Sequence, residues 1–221
     1  MSTSDTKAGT PDGLPAFAVP GGLVEGAELW LVRHGDTEWS REGRHTGVTD
    51  LALTAAGERQ ARALASVLAD VQPALVLTSP LIRARETARL AGLHVDDIDP
   101  DLAEWNYGAY EGRTTSEIRT DNPTWSLWHD GCPGGEIPPQ VAARADRVLA
   151  RAAAALATGA VVLVAHGHIS RMIAARWIGL GPGGGAHLLL STAAPSILSA
   201  QYGAPVIDRW NLPNPVPAEG T

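Results

Sequence analysis

Short apolar runs alternate with segments of helical periodicity along most of this chain. The runs at 29–32, 75–78 and 161–165 predict buried strands. Segments with the apolar spacing or the capping residues of amphipathic helices predict helices, which cover residues 54–68, 80–90, 141–157 and 169–178. Two later segments, 197–201 and 206–210, predict strands that pair through a Tyr202-Gly203 turn.

This alternation predicts the α/β class, as a three-layer sandwich with a mostly parallel central sheet and helices on both faces. Residues 1–26 are rich in Ser, Thr, Gly, Pro and Asp, which predicts a flexible leader. Residues 212–221 contain three prolines and predict a flexible tail. Residues 27–211 then form a single domain, which suits a chain of 221 residues.

Composition narrows the partners and the location. A net charge of −7 argues against binding to nucleic acid or to an anionic membrane, both of which need a basic face. Cys132 is the only cysteine, so no internal disulfide forms. The sequence has neither a membrane-length apolar run nor the start of a signal peptide, so we expect a cytoplasmic protein.

Arginine dominates the basic residues, since Lys7 is the only lysine among 17 basic side chains. A GC-rich genome is one explanation. Phosphate binding is another, because the planar guanidinium fork suits phosphate better than an ammonium does. Both explanations can hold together.

Polar side chains come directly after three of the predicted strands. Arg33 and His34 come after the first, Ser79 and Arg83 after the second, and His166 after the last. Ligands of parallel α/β sheets bind beyond the carboxyl ends of the strands, so we expect these groups to meet at one site.

Each of these side chains has a structural explanation beside a chemical one. His34 alone is better explained as a turn residue, although a neutral imidazole at cellular pH is also a nucleophile. Arg33 and Arg83 together would neutralise the oxygens of a phosphoryl group in transfer. His166 and His168 resemble a metal pair, but no recognisable cluster of further ligands accompanies them, so we predict no metal.

The reaction also requires a carboxylic acid. The alcohol of a phosphomonoester leaves as an alkoxide unless an acid protonates its oxygen. Glu104 is the first candidate, since neighbouring aromatic residues would desolvate it and raise its pKa. Glu111 is the second.

Four segments together resemble the histidine phosphatase superfamily, also called the phosphoglycerate mutase-like family. Residues 31–39, Leu-Val-Arg-His-Gly-Asp-Thr-Glu-Trp, look like its signature, and residues 79–88 resemble its second arginine motif. Residues 104–112 resemble its acid segment, and His166-Gly167 its second catalytic histidine. The resemblance covers nearly all of the predicted domain.

This resemblance implies roles for individual residues. His34 would accept the phosphoryl group, Glu104 would donate the proton, and Arg33, Arg83 and His166 would bind the phosphoryl oxygens. Neither a metal nor another cofactor is implied. Dimers are common in the family, so a homodimer is one of the oligomeric states that the resemblance leaves open. The substrate-binding positions that we expect are Ser40, Arg44, His45, Thr46, Tyr107, Gly167 and His168, with Ser170 nearby.

The segment after Glu111 indicates the branch of the family. The long basic insertion of cofactor-dependent mutases is missing, and residues 125–136 resemble bacterial mutase-like acid phosphatases and fungal sedoheptulose 1,7-bisphosphatases. Trp125 and Trp128 in this segment either pack in the core or wall the pocket. We therefore predict a phosphatase of small phosphomonoesters, sugar phosphates among them. The alternatives are a phosphoglycerate mutase and a catalytically silent module that binds phosphorylated ligands.

Overall fold

The structure, a computed structural model, describes residues 24–216. Its strands are β1 (Leu29–Arg33), β2 (Pro73–Thr78), β3 (Asp97–Ile98), β4 (Ala160–Ala165), β5 (Pro195–Gln201) and β6 (Ala204–Arg209). Its α-helices are α1 (Glu38–Glu42), α2 (Ala55–Leu68), α3 (Ile82–Leu90), α4 (Thr115–Asp121), α5 (Leu127–Asp130), α6 (Pro138–Leu156) and α7 (Gly167–Trp177). Short 3₁₀ turns cover Pro100–Leu102, Gly108–Tyr110 and Pro182–His187.

The six strands form one mixed sheet in the order β3-β2-β4-β1-β5-β6. The first four strands in this order are parallel to one another, while β5 is antiparallel to β1 and pairs with β6 as a hairpin. The predicted α/β class and the late hairpin are therefore confirmed. The carboxyl ends of β1, β2 and β4 lie side by side, as expected from the alternation of strands and helices.

Alternating side chains of β1 pack into the two hydrophobic cores, one on each face of the sheet. Leu29 and Leu31 pack with residues of α6 and α7 on one face of the sheet. Trp30 and Val32 pack with residues of α2 and α3 on the other face. Because successive strand residues point to opposite faces, one five-residue strand joins the two helical layers. The predicted three-layer arrangement results from this pattern.

Two glycines fix the loop that leaves β1. A Cβ atom on Gly35 would lie 2.4 Å from the carbonyl oxygen of Gly57, and one on Gly57 would lie 2.1 Å from that of Asp36. The backbone after β1 and the first turn of α2 thus touch directly, which only glycine allows. The predicted N-cap at Thr54 is confirmed, since its hydroxyl accepts the N–H of Gly57.

The predicted start of α3 is wrong by two residues. Ser79 and Pro80 were expected to cap and open this helix, but Leu81 occupies the N-cap and α3 begins at Ile82. The Ser79 hydroxyl instead accepts the Leu81 N–H at 3.3 Å and hydrogen-bonds the His166 ring. A tertiary contact with His166 therefore takes the place of a helix cap.

The division into leader, domain and tail stays a prediction. Residues 1–23 and 217–221 lie outside the described residues. Within the segment expected as a tail, the Leu212 N–H donates to Pro195 O, and the Asn214 amide donates to Gln60 O and Ala193 O. Across residues 24–216, every helix is too short or too polar to span a membrane.

Candidate active site

A cavity of about 320 Å³ opens beyond the carboxyl ends of β1 and β4. Its lining includes the predicted catalytic residues Arg33, His34 and Glu104. The lining also includes all seven expected substrate-binding positions, which are Ser40, Arg44, His45, Thr46, Tyr107, Gly167 and His168. The other predicted catalytic residues, Arg83 and His166, are fully buried behind this wall.

The His34 ring is held in one orientation at the end of β1. Its Nδ1 lies 2.7 Å from the carbonyl oxygen of Gly35, so Nδ1 carries the proton and donates it. This leaves Nε2 with a free lone pair, on a ring that lines the cavity. Burial, reinforced by the charges of Arg33 and Arg83, holds the pKa of His34 well below its usual value. The ring is therefore neutral at cellular pH, as a nucleophile must be.

Arg33 offers an unpaired cationic donor beside His34. Its Nη1 donates to Leu190 O at 2.5 Å, while its buried Nε has no hydrogen-bond partner among residues 24–216. A Cβ on Gly167 would lie 3.4 Å from the Arg33 guanidinium, so the side chain passes directly over the start of α7. A buried N–H without an acceptor is costly, and an anion in the cavity would remove that cost.

His166 stands edge-on to His34, with ring centres 5.1 Å apart. Its Nδ1 accepts the Arg83 Nε–H at 3.0 Å, and its Nε2 lies 2.7 Å from the Ser79 hydroxyl. Because Nδ1 accepts, Nε2 carries the proton. Burial, followed by the charge of Arg83, holds the pKa of His166 well below its usual value, so this ring is also neutral.

Arg83 is bound mainly to backbone. Its guanidinium donates to the carbonyl oxygens of Thr46, Gly47 and Thr49 at 2.9–3.1 Å, besides the bond to His166. These four contacts use four of its five N–H groups. Arg83 therefore ties residues 46–49, at the mouth of the cavity, to the buried histidine.

Glu111, the second candidate acid, anchors the same loop. Its Oε1 accepts the N–H groups of Gly47 at 2.8 Å and Thr49 at 3.0 Å. Its Oε2 is buried and has no hydrogen-bond partner among the described residues. Glu111 is absent from the cavity lining, so its position favours a structural role over proton transfer.

Glu104 lies against the N-terminus of α7. Its carboxylate accepts the backbone N–H groups of His168 and Ile169, and also that of Trp105, each at 2.9 Å. Burial by itself would raise the pKa of Glu104, but the side chain of His168, 3.8 Å away, and the backbone N–H groups hold it well below the usual value. The expectation of a raised pKa is therefore wrong. The carboxylate is buried, but His168 and the N–H groups at the start of α7 stabilise its charge.

Tyr107 and His168 form a second hydrogen-bonded pair in the wall. The phenol oxygen lies 2.6 Å from His168 Nδ1. Burial raises the pKa of Tyr107 well above its usual value, so the phenol keeps its proton. Burial also lowers the pKa of His168, and the neighbouring Glu104 opposes that shift.

Ser40 and Arg44 line the cavity but are already engaged. The Ser40 hydroxyl donates to Thr37 O and accepts the Thr37 N–H as part of the cap of α1. The Arg44 guanidinium donates to Glu42 and to Gly112 O. Both side chains shape the entrance through hydrogen bonds within the protein.

Four lining residues were not expected from the sequence, namely Gly43, Thr115, Arg171 and Leu190. Helical spacing was the only available signal for Arg171, since it lies four residues after Gly167 on α7. Trp128, absent from the lining, packs beneath Arg171, with the guanidinium carbon 4.7 Å from its ring centre. Trp125 is buried and donates to Gly131 O. The core interpretation therefore fits both tryptophans better than a pocket wall does.

No group of three or more metal-ligating side chains occurs among residues 24–216. Ser170, expected near the site, is buried, and its hydroxyl has no hydrogen-bond partner among these residues.

The sequence model of the histidine phosphatase superfamily (branch 1) matches residues 29–213. The chain belongs to this superfamily. Among its relatives, an acid phosphatase of Mycobacterium tuberculosis is 40% identical over 200 residues, which cover 88% of this chain and 98% of the relative. The sedoheptulose 1,7-bisphosphatase of Saccharomyces cerevisiae is 38% identical over 183 residues, covering 68% and 67%.

Solved structures of this histidine phosphatase family agree with the fold. The product of a Mycobacterium tuberculosis open reading frame superimposes with a TM-score of 0.82 at 40% identity, covering 84% of this chain and 97% of that one. At this identity and TM-score, the α/β architecture of this chain is shared with that solved structure.

Proposed function

We propose that this histidine phosphatase hydrolyses small phosphomonoesters through a phosphohistidine on His34. The observation that carries the proposal is the state of that ring. Nδ1 is committed to Gly35 O, which leaves the Nε2 lone pair free, and the pKa is held low. The ring lines the cavity together with Arg33, whose Nε has no hydrogen-bond partner among the described residues. A neutral nucleophile and a buried cation with an open donor are what phosphoryl transfer from a dianion requires.

In the first step, the His34 Nε2 lone pair attacks phosphorus and the bond from phosphorus to the ester oxygen breaks. The new N–P bond gives the imidazole positive charge, which the Nδ1–H···O bond to Gly35 stabilises. Arg33 takes the phosphoryl oxygens. Arg83 has one N–H left to add, and the Nε2–H of His166 becomes available when a phosphoryl oxygen replaces the Ser79 hydroxyl as its acceptor.

The departing alkoxide takes its proton from Glu104. The empty site holds this carboxylate ionised. A bound phosphoryl dianion repels that negative charge and so raises the pKa of Glu104. Glu104 therefore becomes protonated when substrate is bound. In the second step the carboxylate accepts a proton from water. The water oxygen attacks phosphorus, the N–P bond breaks, and inorganic phosphate leaves a neutral His34.

Two observations favour water, and not the hydroxyl of a second substrate, as the acceptor of the phosphoryl group from His34. Two relatives that this chain resembles over two thirds or more of its length are named as phosphatases. The segment between Glu111 and α6 consists of the short helices α4 and α5, with no lysine. The phosphoglycerate mutase is therefore the less favoured alternative, and a silent binding module gains no support.

Phosphate release and mutase turnover can be measured on the same preparations. We expect the wild type to release phosphate from p-nitrophenyl phosphate and from alkyl phosphates, and to show no mutase turnover of 3-phosphoglycerate that depends on 2,3-bisphosphoglycerate. His34→Ala should lower kcat by at least about three orders of magnitude. His94→Ala, at an exposed histidine outside the cavity, is the matched control. Wild-type turnover that is mainly cofactor-dependent mutase activity would reverse the proposal.

A further inference from the structure

Arg171 lies in the cavity wall as a partly buried cation without an acidic partner. Its Nε donates to Gly185 O at 3.0 Å and its Nη2 to Ala186 O at 3.3 Å. Within residues 24–216, no carboxylate lies within ion-pair distance of its guanidinium, whereas Arg44 at the cavity mouth is paired with Glu42. Arg171 therefore lines the cavity without a direct ion pair, and the Glu104 carboxylate in the same wall acts on it only through its charge.

A rigid platform holds this guanidinium in place. Its central carbon lies 4.7 Å from the ring centre of Trp128, which in turn packs edge-on against Trp105 at 5.6 Å. A Cβ on Gly185 would lie 2.3 Å from the Trp128 ring, so glycine is required for the ring to fit. Arg171 thus approaches the cavity with its orientation already set, which lowers the entropic cost of binding a ligand.

Helix α7 places Arg171 one turn beyond the phosphoryl position. Gly167 opens the helix against Arg33, and Arg171 lies on the same face, about 6 Å further along the axis. Both residues line the cavity with His34. A small substrate with its phosphoryl group at Arg33 therefore extends its other end toward Arg171.

The fork of a guanidinium pairs best with a phosphate or a carboxylate. We propose that Arg171 forms a second anion subsite, so that the preferred substrates carry a further phosphate or carboxylate group on a small carbon skeleton. This inference rests on the proposed function, and it narrows the substrate class from phosphomonoesters in general to those with two anionic groups. A cavity of about 320 Å³ has room for a molecule of this size.

Paired substrates that differ only in the second anion test the subsite. 3-Phosphoglycerate and glycerol 3-phosphate differ by a carboxylate, while fructose 1,6-bisphosphate and fructose 6-phosphate differ by a phosphate. The measured quantity is the ratio of kcat/KM within each pair, for the wild type, Arg171→Gln and Arg171→Lys. Arg85→Gln is the matched control, because Arg85 is an exposed arginine on α3 outside this cavity.

We expect the wild type to prefer the member with the second anionic group in at least one pair. Arg171→Gln should reduce that preference by about tenfold or more, mainly through KM, because it removes a charge-assisted hydrogen bond. Arg171→Lys should restore part of it, and the pair that responds identifies the second group as carboxylate or phosphate.

Two results would overturn the subsite. One is a wild type that does not discriminate within either pair. The other is a loss in Arg171→Gln that is equal for all four substrates, as expected if Arg171 only supports the turn at Pro182–His187. A wild type that releases phosphate from none of these compounds, nor from p-nitrophenyl phosphate, contradicts the proposed function itself. The two failures are therefore distinguishable.

Discussion

At the scale of single residues, the decisive feature is which nitrogen of each histidine carries the proton. Gly35 O fixes it on Nδ1 of His34, and Arg83 fixes it on Nε2 of His166. The sequence predicted a neutral imidazole at position 34 and two arginines near it. It could not predict the tautomers, because these depend on where a carbonyl and a guanidinium point in the folded chain.

The pKa of Glu104 shifts in the opposite direction from the one predicted from the sequence. Aromatic neighbours suggested a raised pKa, but the N-terminus of α7 supplies N–H donors that favour the ionised form. That helix is built from residues more than 60 positions away, so no local pattern near Glu104 reveals the contact. The direction of a pKa shift is thus harder to predict than the identity of the acid.

The role of Glu104 as proton donor predicts a dependence on the leaving group. Glu104→Gln should slow the hydrolysis of alkyl phosphates by about 10²–10⁴-fold. It should slow that of p-nitrophenyl phosphate much less, because p-nitrophenolate leaves without a proton. For alkyl phosphates, kcat should fall as the pH rises, since the protonated fraction of Glu104 falls. Steady-state kinetics from pH 5 to 9 measure both effects, and equal losses for both substrate types would argue against this role.

At the scale of elements, the long periodic segments were predictable and the short ones were not. Strands β1, β2 and β4 and helices α2, α6 and α7 were all expected, within a few residues at their ends. Helices α1, α4 and α5 have four to seven residues, too few for a periodic pattern to emerge. Thr115, which opens α4, consequently went unrecognised as a lining residue.

The loop at 46–49 is held between two side chains from distant elements. Glu111 binds its N–H groups and Arg83 binds its carbonyl oxygens. The loop thereby sets the position of the Arg83 guanidinium, so Glu111 acts on the site as a positioning residue through that loop.

Glu111→Ala should therefore weaken substrate binding while leaving proton transfer intact. We expect KM to rise by about tenfold, from the loss of two hydrogen bonds to a charged acceptor. The shape of the pH profile of kcat should stay that of the wild type. Glu117→Ala, at an exposed glutamate that caps α4, is a matched control for general loss of stability. A changed pH profile in Glu111→Ala would instead favour Glu111 as the proton donor.

At the scale of the whole molecule, a chain with a net charge of −7 concentrates arginines around one cavity. Arg33, Arg83 and Arg171 come from β1, α3 and α7, and the parallel arrangement of strands brings these elements together. The convergence of strand ends was predictable from the alternating pattern. The position of Arg171 in the cavity wall was not predictable. Several residues of α7 could have faced the cavity, and the packing of Arg171 on Trp128 is visible only in the folded chain.

Burying neutral histidines makes the stability of the fold depend on pH. The pKa of His45 is lowered to about 4, chiefly by burial, and the pKa values of His34 and His166 are also lowered. The unfolded chain then binds more protons than the folded one below about pH 6.5, so stability falls as the pH falls. The depressed pKa of Glu104 acts in the same direction at lower pH.

Thermal unfolding should therefore shift to lower temperature between pH 7.5 and pH 5. His45→Gln removes one of the contributing groups and should flatten this dependence, while His94→Gln, at an exposed position, should not. Differential scanning calorimetry at matched ionic strength gives the slope of Tm against pH. A Tm that is constant or rises toward pH 5 would contradict the neutral state of the buried histidines.

The most direct test of the central claim is to trap the phosphoenzyme. The chain is mixed with a ³²P-labelled phosphomonoester and quenched in base within milliseconds, and the labelled residue is located by mass spectrometry. We expect acid-labile, base-stable label on His34, approaching one phosphoryl group per chain before steady state, and none in His34→Ala. Turnover by the wild type without such label, or label of equal amount in His34→Ala, would contradict a phosphohistidine on His34.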